Sequence, residues 1–446
     1  MEIRIYRGSH QIGGTCIEIS SGSSRILLDL GMPLNDKDGK DFLIDPLKGK
    51  RVWDKSDISE LKRSGILPDV RGLYQDEAKG FDAILLSHSH GDHYGLLHFA
   101  RQDIPVVMSP GAMRLIETLN AFVPRKVPLS NVIPAVHGED IEMGGFVVKP
   151  FLMDHSAFDA RGFFITEKST GKSLFYTGDF RAGGHKTNAF EMLVQRPPMR
   201  PEYLLMEGTT IGRGEPEFKT EKAAQKAIRE VLGAGQRLVF AACSGQNIDR
   251  ICSLYAEARR AGYELVIDPY VACVLENLKD LPYSGKIPTL SSPGVRALIH
   301  NYRNGDKYVA FAVKNGGKFA PLRKLFGMRK LRPEAMGKGK YLVLVRDGIV
   351  PALKNIPGHM DAQLIYSQWL GYLKKPQMKL TEFIYAAGLD RTMKYIHASG
   401  HADVPALQRL AAALAPVKII PVHTEHPEVY AGLFGVEKIK LIADVA

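Results

Sequence analysis

His88-Ser89-His90-Gly91-Asp92-His93 is the stretch on which the reading of this chain turns. It follows the strand-like run Asp82 to Ser87 and packs three imidazoles and a carboxylate into six consecutive positions. Ordinary packing does not explain such a run, because a core admits polar side chains only where their polar atoms are paired. His88 and His90 stand two apart, so in extended chain they point the same way. Asp92 and His93 turn toward a neighbouring position once the backbone bends at Gly91. One short loop thereby offers ligands to two cations. Imidazole nitrogen with carboxylate oxygen suits zinc best, with manganese or iron as other fits.

Outward from the loop the same placement recurs. Asp29 comes after Ile26-Leu27-Leu28, His155 after Phe151-Leu152-Met153-Asp154, Asp179 after Leu174-Phe175-Tyr176-Thr177-Gly178, and His423 after Ile419-Ile420-Pro421-Val422. Each closes an apolar, strand-like run. A sandwich of sheets aligns such ends along one edge and so brings side chains from distant parts of the chain into one cleft. Asp is common at turns for ordinary reasons, so the argument rests on the repetition of the placement.

The wider rhythm supports a sandwich. Up to about Glu207, short β-rich runs alternate with Gly, Asp and Ser turns, and few helices are expected. The polar stretch from about Pro33 to Gly80 reads as a surface insertion between two strands. After about Thr210 the pattern becomes a helix over Glu221 to Leu232, a strand over Arg237 to Ala242, a helix near Ile248 to Ala261 and a strand over Glu264 to Ile267. That alternation predicts a parallel sheet. The first style then returns, with strand-like Lys394 to His397, a helix after the N-cap Asp403, strand-like Val417 to Val422 and a closing run Lys438 to Ile442. The expected domains are 1–207, an inserted 208–385, and 386–446 completing the first.

Bulk properties narrow the class. With 446 residues, 45% hydrophobic and 24% charged, the chain has apolar material for two globular domains. Its formal net charge of +11 favours a polyanionic partner, either nucleic acid or a membrane surface. Cys16, Cys243, Cys252 and Cys273 form no CxxC pair, which fits a reducing compartment. No signal-peptide core follows Met1, and no run approaches the roughly 18 apolar residues of a membrane helix. A cytoplasmic location is the expectation.

The His88 to His93 loop, with Asp29, His155, Asp179 and His423, resembles the five motifs of the metallo-β-lactamase superfamily. The resemblance implies an α/β fold of αββα sandwich type. It also implies that His88, His90 and His155 hold one zinc, that Asp92, His93 and His423 hold the other, and that Asp179 bridges them. The family's counterpart of Asp29 supports the ligand loop without touching metal. A domain's worth of chain separates Asp179 from Ser399-Gly400-His401-Ala402, and the β/α segment lies inside it. This arrangement is similar to the β-CASP subfamily of nucleic-acid-processing nucleases, ribonuclease J-like proteins included. Glu207 after Leu204-Leu205-Met206, His401, and His423 in Pro421-Val422-His423-Thr424-Glu425 match that subfamily's own motifs.

What this second resemblance implies is a zinc-dependent nuclease, exo- or endonucleolytic, that hydrolyses phosphodiester bonds of single-stranded RNA. A histidine at position 423 is the feature of RNA-acting members. Asp92, His401 and Glu207 are the expected catalytic residues: His401, if protonated, donates to the leaving oxygen or holds a phosphate oxygen, and Glu207 orients it. A small-molecule ester or lactone hydrolase and a DNA-acting nuclease of the same fold are the alternatives. RNA is the expected partner, with DNA left open and no membrane. Thr424 stands where ribonuclease J usually has Gly, and the chain closes soon after Ile442, so monomer and homodimer both remain open.

Lys314, Lys318, Arg323, Lys324, Arg329, Lys330, Arg332, Lys338 and Lys340 are opposed only by Glu334, with Phe319 and Phe326 interspersed. Such a strip either tracks a nucleic-acid backbone or is a solvated face whose Phe residues enter the core. Ser399, Gly400, Lys314, Lys318, Arg323 and Lys324 are the candidate substrate contacts. The turn Ser244-Gly245-Gln246, from strand to helix, is a further place for a phosphate.

Overall fold

The apolar runs near the start of the chain become strands β1 (Glu2–Arg7), β2 (Cys16–Ser21), β3 (Ser24–Leu28), β4 (Ala83–Leu85), β5 (Val106–Met108) and β6 (Val132–Pro134). They are hydrogen-bonded in that order into one sheet, antiparallel from β1 to β3 and parallel from β3 to β6. The structure, a computed structural model, describes residues 1–35, 55–123, 126–214, 216–282, 285, 287–299, 320–374 and 378–445. A second sheet begins with β7 (Ile141–Met143), β8 (Phe146–Leu152), β9 (Arg161–Glu167), β10 (Ser173–Tyr176) and β11 (Tyr203–Glu207). Along β8, buried positions alternate with half-buried ones, the period of two expected of a strand with one face on a core.

The chain then builds a separate sheet from β12 (Leu238–Ala242), β13 (Glu264–Ile267), β14 (Val295–Leu298), β15 (Lys330–Leu331), β16 (Tyr341–Val345), β17 (Gln363–Tyr366) and β18 (Lys394–Tyr395). Its spatial order is β15-β14-β13-β16-β12-β17-β18, and every neighbouring pair is parallel. All of β12 and β16 is buried, as in parallel strands covered on both faces. Helix Ile248–Arg260 starts where the Asn247 side chain accepts from the Arg250 amide, and helix Pro269–Leu278 starts at Asp268 in the same way. The last strand, β19 (Lys418–Val422), returns to the second sheet and pairs in parallel with β11.

Two units result: Met1–Ile116, Pro124–Glu215 and Gly400–Ala446 form one, and Glu117–Val123 with Pro216–Ser399 the other. In the first, Ile17, Ile19, Leu28 and Leu85 of one sheet meet Phe163, Ile165, Leu174, Leu205 and Ile420 of the other. Burying each such side chain stabilises by roughly 1.5 to 3 kcal/mol. The outer face of the second sheet is covered by helix Thr187–Gln195, through Phe190 and Leu193, and by helix Val404–Leu414, through Leu407, Leu410 and Leu414. This is the α/β sandwich with an inserted parallel sheet that the resemblance implied. Because β8 and β10 both run antiparallel to β9, and β10, β11 and β19 run parallel, four strands end at one edge. Among the described residues no helix is long and apolar enough to cross a membrane.

Several local expectations are corrected. The inserted unit runs to Ser399 rather than to 385 and begins after 215 rather than 207, because β18, read with the first domain, pairs with β17. A two-residue edge strand carries no periodicity that would assign it. The stretch from Pro33 to Gly80 is not merely a surface insertion: it contains helix Lys55–Arg63 and buries Leu61, Leu67, Val70, Leu73 and Tyr74, while 36–54 lie outside the described residues. Lys438 to Ile442 forms no strand, only the single bridge Ile419 to Ile439 after a 3-10 turn.

Candidate metal centre

Loops leaving the shared strand ends carry the site. Asp29 leaves β3 at φ 57° and His423 leaves β19 at φ 50°, in the left-handed region that non-glycine residues enter at a cost. Asp29 is held there by its partners. Its carboxylate accepts from the Ser87 amide at 2.7 Å, the Ser87 hydroxyl at 2.7 Å, His93 Nδ1 at 2.7 Å and the Tyr176 hydroxyl at 2.6 Å. Four donors on one buried carboxylate tie the start of the His88 to His93 loop to β3 and β10. Gly178 (φ 54°) lets β10 approach: a Cβ there would lie 2.7 Å from the Ser87 Cβ.

The histidines converge. His90 Nδ1 and His155 Nε2 are 3.1 Å apart, and the His88 ring centroid lies 4.8 and 4.6 Å from those of His90 and His155. His423 Nε2 is 3.4 Å from Asp92 Oδ2, and His93 Nε2 is 3.9 Å from the same oxygen. Ligand-type atoms of His88, His90 and His155 lie within 4.8 Å of one another, as do those of Asp92, His93 and His423. Asp179 stands between the two groups, with Oδ2 at 3.2 Å from His93 Nε2 and 3.7 Å from His88 Nε2, and Oδ1 at 3.4 Å from His423 Nδ1.

The far sides of these rings are engaged. His155 Nδ1 donates to the Gly400 carbonyl at 2.5 Å, His93 Nδ1 to Asp29, and His423 Nδ1 lies 2.9 Å from the Thr209 hydroxyl. Such contacts fix ring orientation and tautomer, leaving Nε2 for a cation. His88 Nε2, His93 Nε2 and Asp179 Oδ1 are buried without a hydrogen-bond partner among the described residues. A buried polar atom left so costs roughly 1 to 3 kcal/mol. Three facing one another fit divalent cations, which would satisfy them together.

The electrostatics of His88, His90 and His155 agree with that fit. Burial holds His88 and His155 well below the ordinary histidine value and His90 down at about 4, so all three are neutral and carry a lone pair. Burial also disfavours charge on His93, but Asp179, Asp29 and Asp92 outweigh it and raise His93 well above the usual range. Asp92 and Asp179 lie below theirs, the pull of nearby histidines exceeding the burial penalty.

Beside the cluster, His401 Nδ1 meets Glu207 Oε2 at 3.0 Å and lies 3.6 Å from Asp179 Oδ2. Glu207 ends β11 and accepts from the amides of Phe180 at 2.8 Å and Thr209 at 3.3 Å. Burial lowers His401, yet Glu207 and Asp179 raise it more, so it stands above the ordinary histidine value. Its side chain is 23% exposed, against 0 to 2% for His88, His93, Asp179 and His423.

The sequence-predicted ligands are thus brought together around Asp179. Gly400 lies beside them and also gives way to Ser156, whose Oγ would be 2.6 Å from a Cβ at that position. Ser399 belongs to the other unit. Arg323 and Lys324 are exposed on helix Ala320–Arg329, but Phe326 is buried, so the strip shows no aromatic interleaving there. Lys314 and Lys318 lie outside the described residues. Sequence reasoning missed Tyr176, Ser87 and Thr209. Each lies within three positions of a residue it did single out, which was the available signal.

Residues 41–216 match a family described as "Beta-lactamase superfamily domain", and residues 391–431 match "Zn-dependent metallo-hydrolase RNA specificity domain". These matches and the relatives below support a β-CASP metallo-β-lactamase similar to ribonuclease J. It is 22% identical to ribonuclease J of Mycoplasma genitalium over 377 residues, which cover 81% of this chain and 60% of that one. Ribonuclease J of Mycobacterium tuberculosis is 25% identical over 379 residues, covering 80% and 61%. Transcription termination factor FttA of Thermococcus kodakarensis is 24% identical over 278 residues, covering 57% and 39%. The chain thus spans about 60% of the length of the ribonuclease J relatives it matches. A solved protein of unknown function from Enterococcus faecalis V583 shares the fold at TM-score 0.72 and 18% identity, over 99% of this chain and 97% of that one. Together with the match to a Zn-dependent metallo-hydrolase domain, the His and Asp cluster points to a divalent cation.

Proposed function

We propose that this chain hydrolyses phosphodiester bonds of single-stranded RNA with two zinc ions, held by His88, His90 and His155 and by Asp92, His93 and His423, with Asp179 between them. The observation that carries the reading is the pairing of a ligand cluster whose facing atoms lack partners with the His401 and Glu207 couple at its side. The RNA specificity match over 391–431 spans both His401 and His423. The net charge of +11 suits a polyanion.

When bound, the cations supply an activated water and neutralise phosphate charge. The protein's own part is positioning and proton transfer. Nδ1 of His401 is directed at Glu207, and Nε2 is the atom assigned here to the substrate. A protonated His401 gives that proton to the departing oxygen and so leaves a neutral alcohol. Glu207, pinned by two amides, keeps the ring oriented and favours its charged form.

The test incubates purified protein with 5′-labelled and 3′-labelled RNA and DNA, with and without chelator, beside His90→Ala. Metal-dependent cleavage of RNA that the variant lacks is expected. Cleavage surviving both chelation and the variant would reject the mechanism. Esterase or lactonase turnover without nuclease activity would transfer the site to small molecules.

A further inference from the structure

β17 ends at Tyr366, and the chain leaves the parallel sheet through Ser367, Gln368 and Trp369 into the 3-10 turn Leu370–Lys374. The carboxyl ends of parallel strands are where open α/β sheets take ligands. Here they present aromatic rings to solvent: Trp369 is 47% exposed, Tyr372 40% and Tyr385 54%. The rings are set rather than loose. Trp369 and Tyr372 meet edge to face at 5.6 Å, and the Tyr372 amide donates to the Trp369 carbonyl at 3.1 Å. The backbone at Gly371 lies against the indole so closely that a Cβ there would fall 2.1 Å from its nearest carbon. Tyr385 joins them through helix Lys379–Ala386. Thr381 donates its hydroxyl to the Tyr372 carbonyl at 3.3 Å, and Tyr385 follows one helical turn later on the same side.

Positive charge accompanies the rings. Lys374 closes the turn and is exposed. Exposed aromatic rings with positive charge beside them are how proteins hold single strands, since every base has a π-face and the backbone is anionic. A protein partner or second copy fits less well. Side chains of roughly 150 to 250 Å² each, exposed to this degree, offer on the order of 350 Å², against about 800 Å² per partner in a stable interface.

We infer that Trp369, Tyr372 and Tyr385 form a stacking platform for bases of single-stranded RNA on the inserted unit, with Lys374 as countercharge. The inference rests on the ribonuclease reading above. It concerns where the strand is gripped, and involves no residue of the metal cluster.

The chain has two tryptophans, Trp53 and Trp369, so Trp53→Phe leaves Trp369 as the sole indole reporter. That variant, kept uncleaving with chelator, is titrated with oligouridylate and oligoadenylate. Saturable quenching of the Trp369 emission, weakening as salt rises, is expected. In the chelated wild-type background, Trp369→Ala weakens anisotropy-measured RNA affinity about 5- to 150-fold, the span of base–aromatic stacking. Trp369→Phe recovers most of it, and Tyr385→Ala gives a smaller loss should Trp369→Ala misfold. RNA that binds without altering Trp369 emission overturns the platform while leaving the nuclease reading intact. Quenching that follows protein concentration in the absence of RNA overturns it in favour of self-association. If metal-loaded protein neither binds nor cuts RNA, the nuclease reading itself falls.

Discussion

Asp29 shows how much a carboxylate can do without reaching a cation. Its four donors join β3, β10 and the histidine loop at a single buried point. Asp29→Ala should cost about 3 kcal/mol, the scale of losing hydrogen bonds to a buried charge, and weaken metal binding about 10- to 100-fold. Thermal melts and zinc titration check both, and a variant with unchanged affinity would leave Asp29 no part in orienting His93. His401 gives a second residue-scale outcome. Its raised value means it is protonated below that value and loses its proton as pH rises through it. Removing the Glu207 charge lowers the value, so Glu207→Gln should move the alkaline limb of the kcat profile to lower pH. A limb that stays put would remove His401 as the acid. At this scale the ligand types were legible in sequence, because metal chemistry admits few residue types. Tyr176 was not, because a tyrosine inside Leu174-Phe175-Tyr176 reads as one more core residue until its hydroxyl is seen to meet Asp29.

The elements explain why the ligands meet. β8, β10, β11 and β19 end at one edge, and the loop after each carries a residue of the cluster or its couple. Strand ends of this kind were readable from apolar runs closed by His or Asp. The assignment of β18 and the burial of Leu61 to Tyr74 were not, since short edge strands and polar amphipathic helices leave weak periodicity. Gly178 is a test of how tightly the edge is drawn. Gly178→Ala places a Cβ against Ser87 at a left-handed φ, and should destabilise by roughly 1 to 3 kcal/mol, read from denaturant melts. A neutral result would mean that β10 can withdraw from the loop without cost.

Over the whole molecule, two units divide the work of folding, and among the described residues the His and Asp cluster lies in one of them. Metal should therefore stabilise the first unit selectively, by about 4 kcal/mol when free zinc exceeds its Kd a thousandfold. Hydrogen exchange with and without chelator would report protection lost along β8, β10, β11 and β19 and kept along β12 and β16. Equal loss in both sheets would mean that the units unfold as one. The presence of two units was legible from the change of rhythm after Thr210; their borders were not, because Glu117–Val123 packs with the second unit although it lies far from it in sequence.

β19 is the last strand of the sandwich to leave the ribosome, and it slots beside β11, which was made some two hundred residues earlier. Until then Asp92 has no His423 across from it. On the nuclease reading proposed above, a chain still in synthesis would lack the Asp92, His93 and His423 group until this final strand is home.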